Sequence, residues 1–496
     1  MLRKITRVLF GSKSEASSSS EPSVKNSKKQ RSSRDQRQSN KPRATIDDLD
    51  LSNAEIVERE DHCISRQDIS RNATKVLYKL NEAGYHAFLV GGGVRDLLLG
   101  DKPKDFDIST DATPEQIKQL FRNAMIIGRR FKIIHLRFGR EIIEVTTFRA
   151  PPTKSTEIQG KTSNRQIKGL DSAHSSTGLI LRDNVYGTIN EDALRRDFTA
   201  NALYYTVDGF RILDFATGLD DIEDGILRMI GDPATRYRED PVRLLRAIRF
   251  ASKLDFEIEA NTLAPMDELA HLLESISPAR LFDESLKLLS SGHAQKSFAL
   301  LRKFKVGHFM FRSTMELTKD QNTPSARLVE LALRNTDDRL AKGKTVTPAF
   351  LYAALLWPAL QQTLSKMDNP NTVLAIQNAA AQVIAPQVQV TAIPKRFTIA
   401  MREIWELQLR LVTRNKRSVE SAYHHPKFRA AYDFLLLREE SGEQLDNLGQ
   451  WWTEFQFADQ EKQEQMKAAL GRSGKKPRKR RKRTTKKSAP EADSEK

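Results

Sequence analysis

The first clear period along the chain is helical. Between residues 69 and 80, Ile69, Ala73, Val76, Leu77 and Leu80 fall on one helical face, and Gly84 ends the helix. The apolar run Ala87-Phe88-Leu89-Val90 then reads as a buried strand. Gly91-Gly92-Gly93 and the short helical stretch VRDLLLG follow, closed by Gly100, and KPKDFDIST enters a second strand from a turn at Pro103. Residues 131–138 and 141–148 predict two more strands. Residues 150–181 are polar and rich in Gly, Ser and Thr, which predicts a mobile loop inside the same domain. Beyond Gly225 strand signals fade, apart from a short turn near Gly231. The segments DPVRLLRAIRFASKL, PARLFDESLKLL, TPAFLYAALLW and FRAAYDFLLLREE carry helical stripes instead. No repeat of fixed period is present.

The pattern adds up to an α+β chain: a head of small mixed sheet and helices at 62–220, a helical neck at 221–290 and a helical body at 291–458. The flanks differ. From Ser12 to Asp61 the chain is rich in Ser, Lys, Arg, Gln and Asn, too polar to offset the entropy of ordering, so residues 1–61 are expected to form a disordered basic arm. At the other end, 459–496 is expected to be a basic disordered tail, because RSGKKPRKRRKRTTKK repels itself and stays extended, ready to contact RNA.

Composition narrows the partner class. The 496 residues leave room for a sizeable core in about three domains, and no run of about 18 apolar residues exists to cross a bilayer. A net charge of +17 points to a polyphosphate partner, RNA or DNA, unless the excess sits only in the flanks. The single cysteine, Cys63, cannot form an internal disulfide, and the nine histidines include no HExxH pair, so a reducing cytoplasm is expected and zinc is not. The start, MLRKITRVLFGSKS, does not read as a signal peptide. As a helix it would group Leu2, Ile5, Val8 and Leu9 apart from Arg3, Lys4 and Arg7. That pattern suits weak membrane-surface contact through residues 1–10, against the plainer alternative of a frayed basic end.

The candidate chemistry centres on Asp105-Phe106-Asp107. On a strand the two carboxylates project together while Phe106 turns to the core. Hard oxygen ligands on one face suit Mg2+, with Mn2+ as the alternative, and such ions can activate a hydroxyl and stabilise departing pyrophosphate. Gly91 to Gly93 sit just before a helix whose first amides can face a triphosphate, although no GxxxxGK[ST] loop is present. In EIIEVTTFR, Glu144 lies on a strand expected beside that of the aspartates and could complete the acidic set; Glu141 points the opposite way. Each feature also has a plain reading, as a solvated acid or a tight turn.

Together these residues carry a resemblance. LVGGGVRDLLLGDKPKDFDIST is similar to the head signature of the class II nucleotidyltransferases of the polymerase-beta superfamily, which comprise bacterial poly(A) polymerases and tRNA CCA-adding enzymes. The resemblance implies a polymerase-beta-like head, metal on Asp105 and Asp107, and a triphosphate held by Gly91, Gly92 and Arg95. EDALRRDFTANALYY resembles a second family motif, implying nucleotide contacts from Arg195, Arg196, Asp197 and Asn201. Asp197 and Asn201, four apart, would share a helical face, and Asp197 competes with Glu144 for the third essential carboxylate. In REDPVRLLRAIRFASKL, Asp240 and Arg243 are expected one helical turn apart and resemble a base-reading pair, with Arg246 and Arg249 continuing a basic stripe. A surface ion pair is the plain alternative.

Three stretches, IIGRRFKIIHLRFG, AIPKRFTIAMREIWELQLRL and HHPKFRAAYDFLLLREE, look like the poly(A) polymerase branch. The implied reaction adds AMP from ATP to RNA 3′ ends in mRNA polyadenylation and RNA turnover. Lys395, Arg396, Lys427 and Arg429 are candidates to track the RNA backbone. Two other readings stay open: a CCA-adding enzyme, and a non-catalytic RNA-binding protein on the same fold.

Overall fold

The computed structural model describes residues 42–128, 132–150, 156–158, 172–175 and 180–470. They form two compact units. One runs to Arg312 and includes the short segments Leu340–Lys342 and Gln389–Ala392; the other comprises Ser313–Arg339, Gly343–Val388 and the chain from Ile393 onward. The contact expected at residues 1–10 and the basic stretch from Arg472 to Lys487 lie outside the described residues. Among the described residues, no helix is long and apolar enough to cross a membrane.

The first unit is organised by one mixed sheet. Its strands are β1 (Glu55–Val57), β2 (Ala87–Val90), β3 (Asp107–Thr110), β4 (Ala124–Ile127), β5 (Ile133–Phe138) and β6 (Glu141–Thr147), then, after a separate small sheet of β7 (Thr156–Ile158), β8 (Ser172–Ser175) and β9 (Ile180–Asp183), β10 (Leu203–Tyr205) and β11 (Ile212–Asp214). The order is β1-β11-β10-β2-β3-β6-β5-β4, with β3 and β6 parallel and every other neighbour antiparallel.

One face of this sheet is sealed. Leu89, Ile108, Val145 and Ile134 lie across it fully buried, beneath helices α1 (Arg71–Glu82) and α3 (Pro114–Leu120). Helix α1 forms as its apolar stripe predicts: Ser70 caps its first turn by accepting from the Ala73 amide, and Val76, Leu77 and Leu80 are buried. The other face changes character halfway. At β2, β10 and β11, Phe88, Val90, Tyr204 and Leu213 pack with Ile46, Phe148, Ile189, Ala193 and Phe215. From β3 outward the register aligns Asp107, Glu144, His135 and Met125 in one row on that same face, and among the described residues no such apolar cluster covers them.

Several expectations are corrected. The arm expected to extend to residue 61 is folded from residue 42: Ile46 is buried in the head core, His86 bonds the Thr45 carbonyl, and β1 pairs with β11. Ile46 is buried and Leu49, Leu51 and Ala54 pack against the same core, contacts of isolated apolar residues that a composition average cannot register. The tail expected from 459 begins instead as helix Gln460–Leu470, whose Lys467 is buried between Glu420 and Glu464. Part of the expected loop at 150–181 forms the small sheet β7–β9. The neck is not wholly helical, because after helix α5 (Gly218–Asp224) the strands β12 (Ile226–Leu227) and β13 (Glu257–Ile258) pair in parallel on either side of its helices α6 (Pro233–Glu239) and α7 (Val242–Leu254).

The second unit is helical. Trp405 on Lys395–Thr413 and Trp452 on Leu448–Phe457 are fully buried, and their indole N–H groups donate to the carbonyls of Ala353 (3.2 Å) and Leu411 (3.0 Å), so burial leaves neither donor unpaired. Arg429, a candidate RNA contact, is held by Asp433 at 3.0 Å.

Candidate active site

Strand β3 begins at Asp107, so Asp105 stands in the turn before it and not on the strand as expected. Phe106 is buried, as strand alternation predicts. Glu144 is the direct neighbour of Asp107 across the parallel β3–β6 pair, so both side chains leave the same face. Asp107 keeps an exposed surface, yet its carboxylate is crowded enough to be desolvated. Burial first, then the like charges of Glu144 and Asp105, raise its pKa to about 6 despite the attraction of Arg196. Next in the row, His135 Nε2 lies 3.2 Å from Glu144 Oε1. Glu141 turns away and is bonded by Asn72 of α1.

Beside this acidic row, Gly91 turns the chain from β2 into helix α2 (Gly92–Leu98) with φ +68°, a conformation that a side chain would strain. An added Cβ would meet Arg196 Nη1 at 3.4 Å. Arg95 does not reach outward from α2. It is buried, bonded to Asp96 by Nε at 3.0 Å and Nη2 at 2.6 Å and to the Asn201 amide oxygen by Nη1, which ties α2 to the turn at 199–201. Gly92 gives that guanidinium room, since its Cβ would lie 3.3 Å from Arg95 Nη2.

Asp192, on helix α4 (Ile189–Leu194), is the joint of the site and is itself buried. It accepts from Ser109 Oγ of β3 (3.1 Å), the Arg149 amide (3.1 Å), Arg196 Nη2 (3.1 Å) and the Tyr204 hydroxyl of β10 (2.6 Å). One carboxylate thereby fixes two strands and the arginine facing the glycine turn. Arg196 also bonds Tyr204 at 2.8 Å.

The motif after α4 is not the helix that the spacing suggested. Arg195, Arg196 and Asp197 form an irregular turn, and only Thr199–Asn201 make a short 3-10 turn. Asn201 still donates to Asp197, at 3.3 Å, because the chain folds back on itself. Asp197 is also held by Arg246 of α7. Burial opposes its charge most, but Arg246, Asn201 and Arg243 together prevail and hold its pKa at about 2. Asp197 stays ionised at neutral pH, with its charge already matched by an arginine.

Asp240 and Arg243 stand one turn apart, the Arg243 amide donating to the Asp240 carbonyl at 2.9 Å, and their side chains hold different partners. Asp240 precedes Pro241, takes an extended conformation (φ −150°, ψ 92°) and lies outside α7. It is clamped bidentately by Arg280, at 2.8 and 2.6 Å. Arg243 instead donates to Glu239 and to the Arg236 carbonyl, both at 2.8 Å. The two therefore stand at one helix boundary, each on a separate partner.

The arginines nearby are crowded. Burial, then the charges of Arg149, Arg236 and Arg243, lowers the Arg195 pKa to about 9, and burial with Arg243 lowers that of Arg236 to about 10. Burial is the first cause at both, and both are held in place: Arg195 Nη1 donates to the Ala150 carbonyl at 3.1 Å, and Arg236 is ion-paired with Glu239 at 2.7 Å. Arg236 Nε and Arg249 Nε are buried without a hydrogen-bond partner among the described residues. Of these groups, Asp192, Arg149, Arg236 and His135 were not singled out from sequence. The signals were an acid four residues before Arg196 for Asp192 and an acid three residues after Arg236; Arg149 and His135 have partners that only the folded sheet brings close. A cavity of about 680 Å3, lined by residues such as Arg228, Asp232, Glu259 and Glu268, contains none of the candidate residues.

Among the described residues no three His, Cys, Asp or Glu side chains form a ready-made cation cage. The donor set nevertheless fits Mg2+, which commonly takes one or two carboxylates and completes its shell with water and substrate phosphates.

Comparison with known proteins agrees with this architecture. Residues 87–228 match the poly A polymerase head domain, 255–317 the probable RNA and SrmB-binding site of polymerase A, and 368–487 the polymerase A arginine-rich C-terminus. Poly(A) polymerase I of Escherichia coli O6:H1 is 48% identical over 409 residues, 81% of this chain and 86% of that protein. A CCA-adding enzyme of Bacillus pumilus is 35% identical over 235 residues, only 47% of this chain and 54% of its own length. The solved structure of a tRNA-processing enzyme complex shares the fold, with TM-score 0.52 and 21% identity over 80% of this chain and 96% of that one. The chain is thus a nucleotidyltransferase that belongs to the poly(A) polymerase I family.

Proposed function

We propose that this chain adds AMP from ATP to RNA 3′ ends, releasing pyrophosphate, and acts in mRNA polyadenylation and RNA turnover in the cytoplasm. The observation that carries the reading is the row of Asp107 and Glu144 side by side on an exposed sheet face, with Asp105 in the turn before the strand and Arg196 against the neighbouring glycine turn. Acid and base occupy the two ends of one site. That division suits a reaction whose substrate carries a triphosphate and whose nucleophile is a hydroxyl.

The 3′ oxygen of the RNA forms a bond to the α-phosphorus as the bond to the β-phosphate oxygen breaks, and pyrophosphate leaves. Asp105 and Asp107 would hold Mg2+ or Mn2+, which supplies charge neutralisation at the phosphates and a more acidic primer hydroxyl. Arg195 and Arg236 take up phosphate charge, and Arg196, aligned by Asp192 and Tyr204, faces the glycine turn. Glu144, with Oε1 held beside His135, presents Oε2 to the hydroxyl proton. Asp197 and Asp240 act through the arginines they hold, Arg246 and Arg280, to shape the nucleotide pocket. Asn201, Arg95, Gly91 and Gly92 fix its floor.

Purified protein given an RNA primer, magnesium and either ATP or CTP tests this directly. Continued AMP addition is expected. Stopping after CTP and one ATP on a truncated tRNA would establish CCA addition, and RNA binding with no product would leave the non-catalytic reading.

A further inference from the structure

The row that begins at Asp107 does not end at His135. Met125 of β4 is aligned with His135, and Ile127 with Ile133, so both leave the sheet on the carboxylate face. Ile142 lies on that face too, two residues before Glu144 on β6 and aligned with Arg137 of β5. Met125 is 56% exposed and Ile127 and Ile142 39% each, and Arg137 is also exposed. Large apolar side chains grouped on an open face beside a reactive site call for a partner.

We infer that this face of β4–β6 is a platform for the bases of the RNA 3′ end, with Met125, Ile127 and Ile142 under the bases and Arg137 at a phosphate. The inference rests on the adenylyl-transfer reading, since it places the primer that this reaction needs. Three arguments favour RNA over other occupants. The platform continues the carboxylate row: Met125 is three strands from Asp107, or about 14 Å at ordinary strand spacing, within reach of the last few nucleotides of a chain whose 3′ hydroxyl meets Glu144. It pairs apolar surface with a cation, as a base followed by its phosphate requires, and lacks an acid of its own beyond the reactive carboxylates. Finally, methionine and isoleucine present surface without hydrogen-bonding groups. They discriminate among bases by no hydrogen bond, as a surface that carries successive nucleotides of one strand requires.

The rival occupant is a second copy of the chain, because β4 is an edge strand with one side unpaired. The test uses the full-length protein with Met125→Ser and Ile142→Ser combined, and Met125→Leu as the conservative control. Wild-type elongation of an oligoadenylate primer first establishes the reaction; if it fails, the underlying reading falls and the platform with it. Given that activity, the double variant is expected to raise KM for the primer about tenfold, with KM for ATP unchanged and Met125→Leu close to wild type. An unchanged primer KM would overturn the platform. So would a wild-type dimer, seen by sedimentation, that the double variant dissolves while primer KM stays the same. A thermal melt of each variant separates loss of binding from loss of fold.

Discussion

The two halves of one sheet face show how the head divides its labour. At β2, β10 and β11 the face is apolar and covered, with Tyr204 in edge-to-face contact with Phe88 and with Phe215 at centroid distances of 6.0 and 5.8 Å. At β3, β6, β5 and β4 the same face is open and carries Asp107, Glu144 and His135. The covered half lowers its free energy by burial, whereas the open half keeps like charges together at a cost to stability. Asp192 joins them, since it reaches Ser109 and Arg196 on one side and Tyr204 on the other. A reactive site can hold strain because a rigid neighbour fixes it.

The strongest break of the comparison is Asp107→Asn. It should lower AMP incorporation by at least ~10³-fold, and at neutral pH it should raise the melting temperature, because a crowded charge is removed. Elongation assays and calorimetry on one preparation check both. Phe88→Ala, on the covered half, should do the reverse, costing ~3–5 kcal/mol of stability by urea denaturation and lowering activity only in step with the folded fraction.

Smaller changes sharpen the open half. Glu144→Gln is expected to cost ~10²-fold in kcat while lowering the Asp107 pKa, since a neighbouring charge disappears. His135 acts on Glu144 and so is a positioning residue. His135→Ala should lower kcat about fivefold with KM for ATP unchanged, and His135→Gln, which can still donate to Glu144, should recover most of the loss. If both variants are equally impaired, the His135–Glu144 contact has no positioning role.

Much of this division was legible in the sequence. Alternation about Phe106 placed the aspartates outward, and the odd spacing separated Glu141 from Glu144, as their partners Asn72 and His135 now show. What failed was helical spacing where no helix forms. Pro241 holds Asp240 extended and residues 195–197 turn, so Asp197 meets Asn201 through a chain that folds back, and Asp240 meets Arg243 through the backbone at a helix start, in neither case along a helical face. The short strands β1, β10 and β11 were missed because each is three residues long, too short for a period to emerge. Asp192 was legible only in part, as an acid four residues before Arg196. Its partner Ser109 is 83 residues away, and only the folded sheet brings them together.

The most direct test of the open half as a strained acidic site is the titration of the Asp107 carboxyl, followed by carbon NMR in metal-free protein. Its folded pKa lies above its ordinary value of 3.8, so the folded state holds the proton more tightly, and the site costs stability as pH rises from there to about 6. The account predicts a midpoint of about 6, moving down when Glu144 is replaced by Gln and again when Mg2+ is added to the wild type. A midpoint at the ordinary value, indifferent to both changes, would contradict it.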